Sequence, residues 1–322
     1  MDISEQHTLQ KGTELVRSSN PELGFELFYE AYKNGLRVYG SYEFVLMFLY
    51  KRMYKEFLDN YKTLQEQGCF KEYVNERHQK LSEEGVPYIF LNTLPKSGSM
   101  YMLNTLTDAF KLPTILLGHN NSDFDHVVPL MAEFLAKGGG ITQAHIDPTP
   151  YNLDTLHSSG IKKIHLHVRD PRQALLSMTH HNNTLVGASY CERYTNIAMT
   201  PSDYDLWSFE QKLDWQFRNT YPYYILWLES WVNVIENDSR FKIYLSEYKM
   251  LKSEPKRLLE ESIKFFGYKD NLPNNIDFTP KAGKSHFRQG SNTEWKSVFT
   301  KSQQSIMGNM ISSKLRNMFE WE

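Results

Sequence analysis

Apolar positions recur along the chain with two different periods, and the change between them divides it. From residue 1 to about 84 they keep helical spacing: Leu23, Phe25, Leu27, Phe28 and Ala31, then Phe44, Met47, Phe48 and Tyr50. Such a stripe is the face a helix buries, and nothing here alternates as a half-buried strand does, so three or four helices are predicted. After Glu83-Glu84-Gly85 the character changes. Val86 to Thr93 (VPYIFLNT) is a short, β-rich apolar run, followed by Pro95-Lys96-Ser97-Gly98-Ser99 and then by Met102, Leu103, Leu106, Ala109 and Phe110 at helical spacing. Ile161 to Val168 (IKKIHLHV) repeats the order, passing through Arg169-Asp170-Pro171 into a helix whose first position suits proline. Phe241 to Leu245 (FKIYL) and the helix Pro255 to Phe266 form a third such unit. Strands alternating with helices predict an α/β fold: a central, mainly parallel sheet flanked by helices. The predicted organisation is a helical amino-terminal segment, residues 1–84, followed by an α/β domain, residues 85–322.

Composition narrows the class of partner. The 36 Lys and Arg nearly cancel the 38 Asp and Glu, leaving a net charge of -2. No global field therefore draws nucleic acid or an anionic membrane, and any anion must be held by a local constellation. Cys69 and Cys191 are too few for a disulfide framework, and no Cys/His spacing suggests a metal site. The amino terminus lacks a basic and apolar leader, and no run of about 18 apolar residues occurs, so a cytoplasmic protein without a membrane span is expected. Oligomeric state is not written in the sequence.

The chemistry concentrates on two strand ends, where ligands of parallel sheets bind. Thr93-Leu94-Pro95-Lys96-Ser97-Gly98-Ser99 places a lysine, two hydroxyls and a glycine between a buried strand and a helix start. Unpaired N–H groups and the positive end of the helix dipole make such a turn a P-loop-like phosphate cradle. Here the lysine precedes the glycine, so the common G-x-x-x-x-G-K-[ST] loop is absent. Arg169, at the end of the next predicted strand, offers a planar fork for phosphate, and Ser177 follows about two helical turns later. Each segment alone also reads as an ordinary surface turn or a paired arginine.

Together, PKSGS after one strand and RDPR-x5-S after a later one resemble the two nucleotide-binding motifs of sulfotransferases of the cytosolic type, which use 3′-phosphoadenosine 5′-phosphosulfate (PAPS). The resemblance spans residues from about 86 to 300. It implies that Lys96 contacts the bridging oxygen of the phosphosulfate and that Ser97, Gly98 and Ser99 hold the 5′-phosphate. Tyr101 falls where many members stack a tryptophan on adenine, and Arg169 and Ser177 would grip the 3′-phosphate. Gly140-Ile141-Thr142-Gln143-Ala144-His145 resembles the family's strand ending in a catalytic histidine, which makes His145 the general base. Phe287-Arg288-Gln289-Gly290, followed by Glu294-Trp295-Lys296, resembles its Arg-Lys-Gly loop and downstream Asp-Trp-Lys, with Arg288 closing over the 3′-phosphate. The implied activity is sulfuryl transfer to a hydroxyl or amine of a small-molecule acceptor, with Lys96 stabilising the leaving phosphate and no metal.

Four further departures from the family pattern bear on the site. Gln143 stands for a frequent lysine, Met100 for a second hydroxyl residue in the nucleotide-binding turn, and Gln289 for a lysine. Ser246, in Ser246-Glu247-Tyr248, takes the place of an adenine-contacting tyrosine. His165 and His167 read as packed or paired residues of a strand, not as catalytic groups. In the amino-terminal segment, GFELFYEAYKNG and YKEFLDNYKTLQEQG both look like the second helix of a tetratricopeptide-type hairpin, although such arrays need three or more repeats. Two other readings stand beside the main one: a nucleotide-dependent kinase using the same strand, turn and helix, and a non-catalytic interaction protein that works through its amino-terminal helices.

Overall fold

The computed structural model describes residues 3–16, 21–36, 42–51, 53, 56, 76–118, 127–184, 201, 203–278 and 290–321. It divides into two compact units, residues 1–76 and 77–322.

In the first unit, helices α1 (Ile3–Val16), α2 (Pro21–Lys33) and α3 (Tyr42–Tyr50) bury the aromatic stripe seen in the sequence. Phe28, Phe44 and Phe48 are fully or almost fully buried, and their rings meet edge to face at 5.5 and 5.7 Å. That geometry sets the positive edge of one ring against the negative face of the next. Gly12 is required by this packing, since a Cβ there would stand 2.2 Å from the Phe28 ring. Most of the second tetratricopeptide-like piece, YKEFLDNYKTLQEQG, lies outside the described residues.

The second unit starts within α4 (Glu76–Glu83), whose Ser82 hydroxyl donates to the Lys137 carbonyl at 2.8 Å. Next come β1 (Ile89–Thr93), α5 (Ser99–Phe110), α6 (Pro129–Ala136), β2 (Ile141–Ala144), α7 (Pro150–Ser158), β3 (Lys163–Val168) and α8 (Pro171–Thr184). After them follow α9 (Phe209–Asn219), α10 (Tyr221–Asn237), β4 (Lys242–Glu247), α11 (Tyr248–Ser253), α12 (Pro255–Phe266), α13 (Trp295–Val298), α14 (Lys301–Met310) and α15 (Ser313–Phe319). The four strands form one parallel sheet in the order β2-β1-β3-β4. The predicted α/β architecture, with its preceding helical segment, is the one observed.

Every residue of β1 is buried, as a central parallel strand covered on both faces requires. Its register sets Asn92 beside Ala144 of β2, and Thr93 beside His167 of β3. Across the far ladder, His165 and His167 pair with Tyr244 and Ser246 of β4. Helix α10 closes one side of the core with the fully buried Trp227 and Trp231, whose indole N–H groups both donate to the Ile146 carbonyl, at 3.1 and 2.9 Å. The Asn92 side chain bonds both the N–H and the carbonyl of Ile146. These four hydrogen bonds lock the backbone just after β2, where His145 sits.

Candidate active site

The turn between β1 and α5 is built from two left-handed residues. Lys96 has φ 65°, and Gly98, which caps α5, has φ 93°. Glycine is suited to Gly98 on two grounds: the left-handed backbone, and a Cβ that would stand 2.7 Å from Leu251. Three carbonyls of this turn are engaged by side chains. Ser97 donates its hydroxyl to Leu94 O at 2.6 Å, Arg169 donates through Nη1 to Lys96 O at 2.8 Å, and His167 meets Ser97 O at 3.0 Å. No protein acceptor meets the N–H groups of Gly98 and Ser99 among the described residues. The peptide dipoles are thereby sorted, with oxygens bonded inward and donors left over, as an anion cradle requires.

Two cations share this turn. Burial and the neighbouring Arg169 charge lower Lys96 to about 8. Arg169 is itself buried, with its guanidinium 4.0 Å over the Tyr248 ring and Nη2 bonded to the Ser291 carbonyl. That last contact brings the segment after Gly290 (φ 62°) back to the site. The same segment is docked further along, where Trp295 N–H donates to Gln173 at 3.1 Å and the Arg172 guanidinium lies 3.9 Å over the Trp295 ring. Arg172 is in turn held by Asp170 through a partly buried ion pair at 2.8 Å.

His145 stands on the other side of β1. A carbonyl only accepts, so the 2.7 Å contact with Thr93 O fixes the Nδ1–H tautomer. Nε2 is left with its lone pair, and the Gln143 amide donates to it at 3.3 Å. Burial lowers His145 to about 4, aided by the Lys96 charge and opposed by the Thr93 hydrogen bond, so the ring is neutral near pH 7.

The structure thus collects Lys96, Ser97, Gly98, Ser99, His145 and Arg169 at the carboxyl ends of β1, β2 and β3. Met100 and Tyr101 follow in the first turn of α5, and the Tyr101 hydroxyl donates to Phe278 O at 2.8 Å. Burial first, and Asp277 second, push that hydroxyl up to about 12. Ser177 is partly buried two turns into α8. The Ser246 hydroxyl lies between the rings of His165 and His167, at 2.6 Å from each. Arg288 and Gln289 lie outside the described residues.

Several contributors are not evident from sequence. Thr93 orients the His145 ring, Tyr248 carries the Arg169 guanidinium, and Gln173 anchors Trp295. Each lies in or beside a quoted motif without being one of its assigned ligands, and its role is defined by a partner far away in the chain. Beside His145, the Asp147 carboxylate accepts from the Tyr223 hydroxyl, and burial holds it above the usual carboxylate range.

No curated protein sequence matches the chain. Among solved structures it is similar to that of the mouse sulfotransferase SULT7A1 complexed with PAP, at 15% identity and a TM-score of 0.46, covering 76% of this chain and 90% of that one. The family model described as the sulfotransferase domain matches residues 87–319, the greater part of the chain and of the second unit. The chain belongs to the sulfotransferase family.

Proposed function

We propose that this protein transfers a sulfuryl group from PAPS to a hydroxyl or amine of a small-molecule acceptor. The observation that carries the reading is the β1–α5 turn itself. Leu94 O, Lys96 O and Ser97 O are tied back, the Gly98 and Ser99 N–H groups meet no protein acceptor among the described residues, two cations flank the turn, and a neutral imidazole whose Nε2 faces only the Gln143 amide among those residues stands beside it. A nucleotide with phosphate at both ends fits that set better than a singly charged ligand, because Lys96 and Arg169 supply separate positive centres. Ser97, Gly98 and Ser99 would hold the 5′-phosphate, and Arg169, with Ser177 and Arg288, the 3′-phosphate. Tyr101 flanks the adenine end. The bound donor supplies the sulfuryl group.

The chain's own residues do the rest. Sulfuryl transfer, like phosphoryl transfer, is a loose in-line displacement that depends on positioning and on charge stabilisation. The Nε2 lone pair of His145 takes the acceptor proton, after the acceptor displaces the long hydrogen bond from Gln143. Thr93 O then holds the imidazolium in place through Nδ1–H. Lys96, protonated below pH 8, stabilises charge appearing on the departing phosphate.

A thermal-shift comparison tests the donor class. Adenosine 3′,5′-bisphosphate raises the melting temperature and ATP with Mg²⁺ does not. Stabilisation by ATP with Mg²⁺ alone would support a kinase instead, and no response to either would support an interaction role. Incubation with labelled PAPS and a metabolite extract then identifies the acceptor from the labelled product.

A further inference from the structure

Behind the turn runs a chain of buried polar groups that the transfer reaction does not use. Ser262 Oγ of α12 meets His165 Nδ1 at 2.8 Å, and His165 Nε2 meets Ser246 Oγ at 2.6 Å. Ser246 Oγ meets His167 Nδ1 at 2.6 Å, and His167 Nε2 meets Ser97 O at 3.0 Å. His165, His167 and Ser262 are fully buried, and Ser246 is almost so.

The direction of every hydrogen in this chain follows from its last link. Ser97 O only accepts, so His167 carries its proton on Nε2. In a neutral ring Nδ1 must then accept, which makes Ser246 the donor to His167. Ser246 has given its one proton, so it accepts from His165 Nε2–H, and Ser262 donates to His165 Nδ1. One arrangement satisfies all four contacts. Burial keeps both rings neutral, His167 at about 4 and His165 well below its ordinary value, which fits that single polarity.

We propose that His167, held in its Nε2–H tautomer by Ser246 and His165, is a positioning residue that orients the Ser97–Gly98 peptide of the anion-binding turn. In a trans peptide the C=O and the N–H of the next residue point oppositely. Fixing Ser97 O on His167 therefore turns the Gly98 N–H away from the sheet interior, toward the side where an anion binds. Arg169 does the same for the Lys96–Ser97 peptide by holding Lys96 O. Because of this preorganisation, the bound anion need not reorder the turn. The inference deepens the proposed donor site and rests on that reading for the identity of the anion.

The test uses the full-length chain and variants that separate the hydrogen bond from the space the ring fills. His167→Leu removes the donor to Ser97 O. His167→Gln keeps an amide N–H close to where Nε2 stood. Calorimetry with adenosine 3′,5′-bisphosphate is expected to show affinity weakened about tenfold in the leucine variant, the scale of one lost hydrogen bond to a buried carbonyl, and largely restored in the glutamine variant. In the free protein, ¹⁵N spectra of the imidazoles report Nε2–H for His165 and His167 and Nδ1–H for His145. The Gly98 amide signal moves in His167→Leu and returns toward wild type in His167→Gln. Equal weakening in both folded variants, a His167 ring found as Nδ1–H, or an unmoved Gly98 amide each overturns the inference. If wild-type protein fails to bind the bisphosphate, the donor assignment falls, while the tautomer and the Gly98 signal still decide whether His167 orients the turn.

Discussion

The histidines on either side of β1 invite comparison. On the β2 side, His145 donates through Nδ1–H to a backbone carbonyl at 2.7 Å and leaves Nε2 with one long contact, the Gln143 amide at 3.3 Å. On the β3 side, His167 donates through Nε2–H to a backbone carbonyl at 3.0 Å and has Nδ1 taken by Ser246 at 2.6 Å. Burial lowers both rings to about 4, so ionisation does not distinguish them. The disposition of the second nitrogen does. A base needs a lone pair that a substrate can reach, and His145 keeps one behind a displaceable donor. His167 has spent both nitrogens on the protein and serves as a strut for the turn. A strongly shifted titratable group thus marks either chemistry or architecture, and only its partners tell which.

Replacing His145 by Ala breaks the comparison most severely. Turnover falls by about 10²- to 10⁴-fold, the range for losing a general base, while bisphosphate affinity measured by calorimetry stays at the wild-type value. Full turnover in that variant would assign the base elsewhere.

Acid stability comes next. An unfolded histidine takes up its proton near 6.5, whereas folded His167 resists until about 4. The stability contributed by His167 is therefore complete above pH 6.5 and drains as the pH falls toward 4. Each pKa unit is worth about 1.4 kcal/mol, so His167 alone accounts for on the order of 3 kcal/mol of that loss. Urea unfolding of wild type and His167→Gln at pH 7 and pH 5 checks this, since the variant lacks the His167 contribution and shows the shallower decline. Parallel declines would mean that His167 is not kept neutral by the fold.

A smaller effect appears in alkali. Lys96, lowered to about 8, loses its charge above that pH, so affinity for the bisphosphate weakens between pH 8 and pH 9.5. Lys96→Met binds weakly throughout and removes that dependence. The mildest change is Gln143→Leu, which uncovers His145 Nε2. It alters kcat by roughly a hydrogen bond's worth, a few-fold, and leaves nucleotide affinity alone.

Much of this arrangement was legible in the sequence because it is local. The strand runs before Lys96 and Arg169 are short and β-rich, and the helix starts after them follow from glycine and proline. Strand period also places His165 and His167 on one face. Their partners, however, depend on the register between β3 and β4, which joins residues 79 positions apart. Ser246 illustrates the limit. Its place in the motif order suggests adenine, while its hydroxyl sits between two imidazoles, a contact that no spacing encodes. β2 is only four residues long, too short for an alternation to be read, and the resemblance located it where the pattern alone did not. The division at residue 76 reflects packing of α4 on the second unit, through contacts such as Ser82 with Lys137, more than fifty residues away in the chain.

The most direct measurement is calorimetric titration of adenosine 3′,5′-bisphosphate into wild type, Lys96→Met and His145→Ala. The account predicts saturable binding to wild type, clearly weaker binding to Lys96→Met, and unchanged binding to His145→Ala. No binding to wild type, or binding indifferent to Lys96, would contradict it.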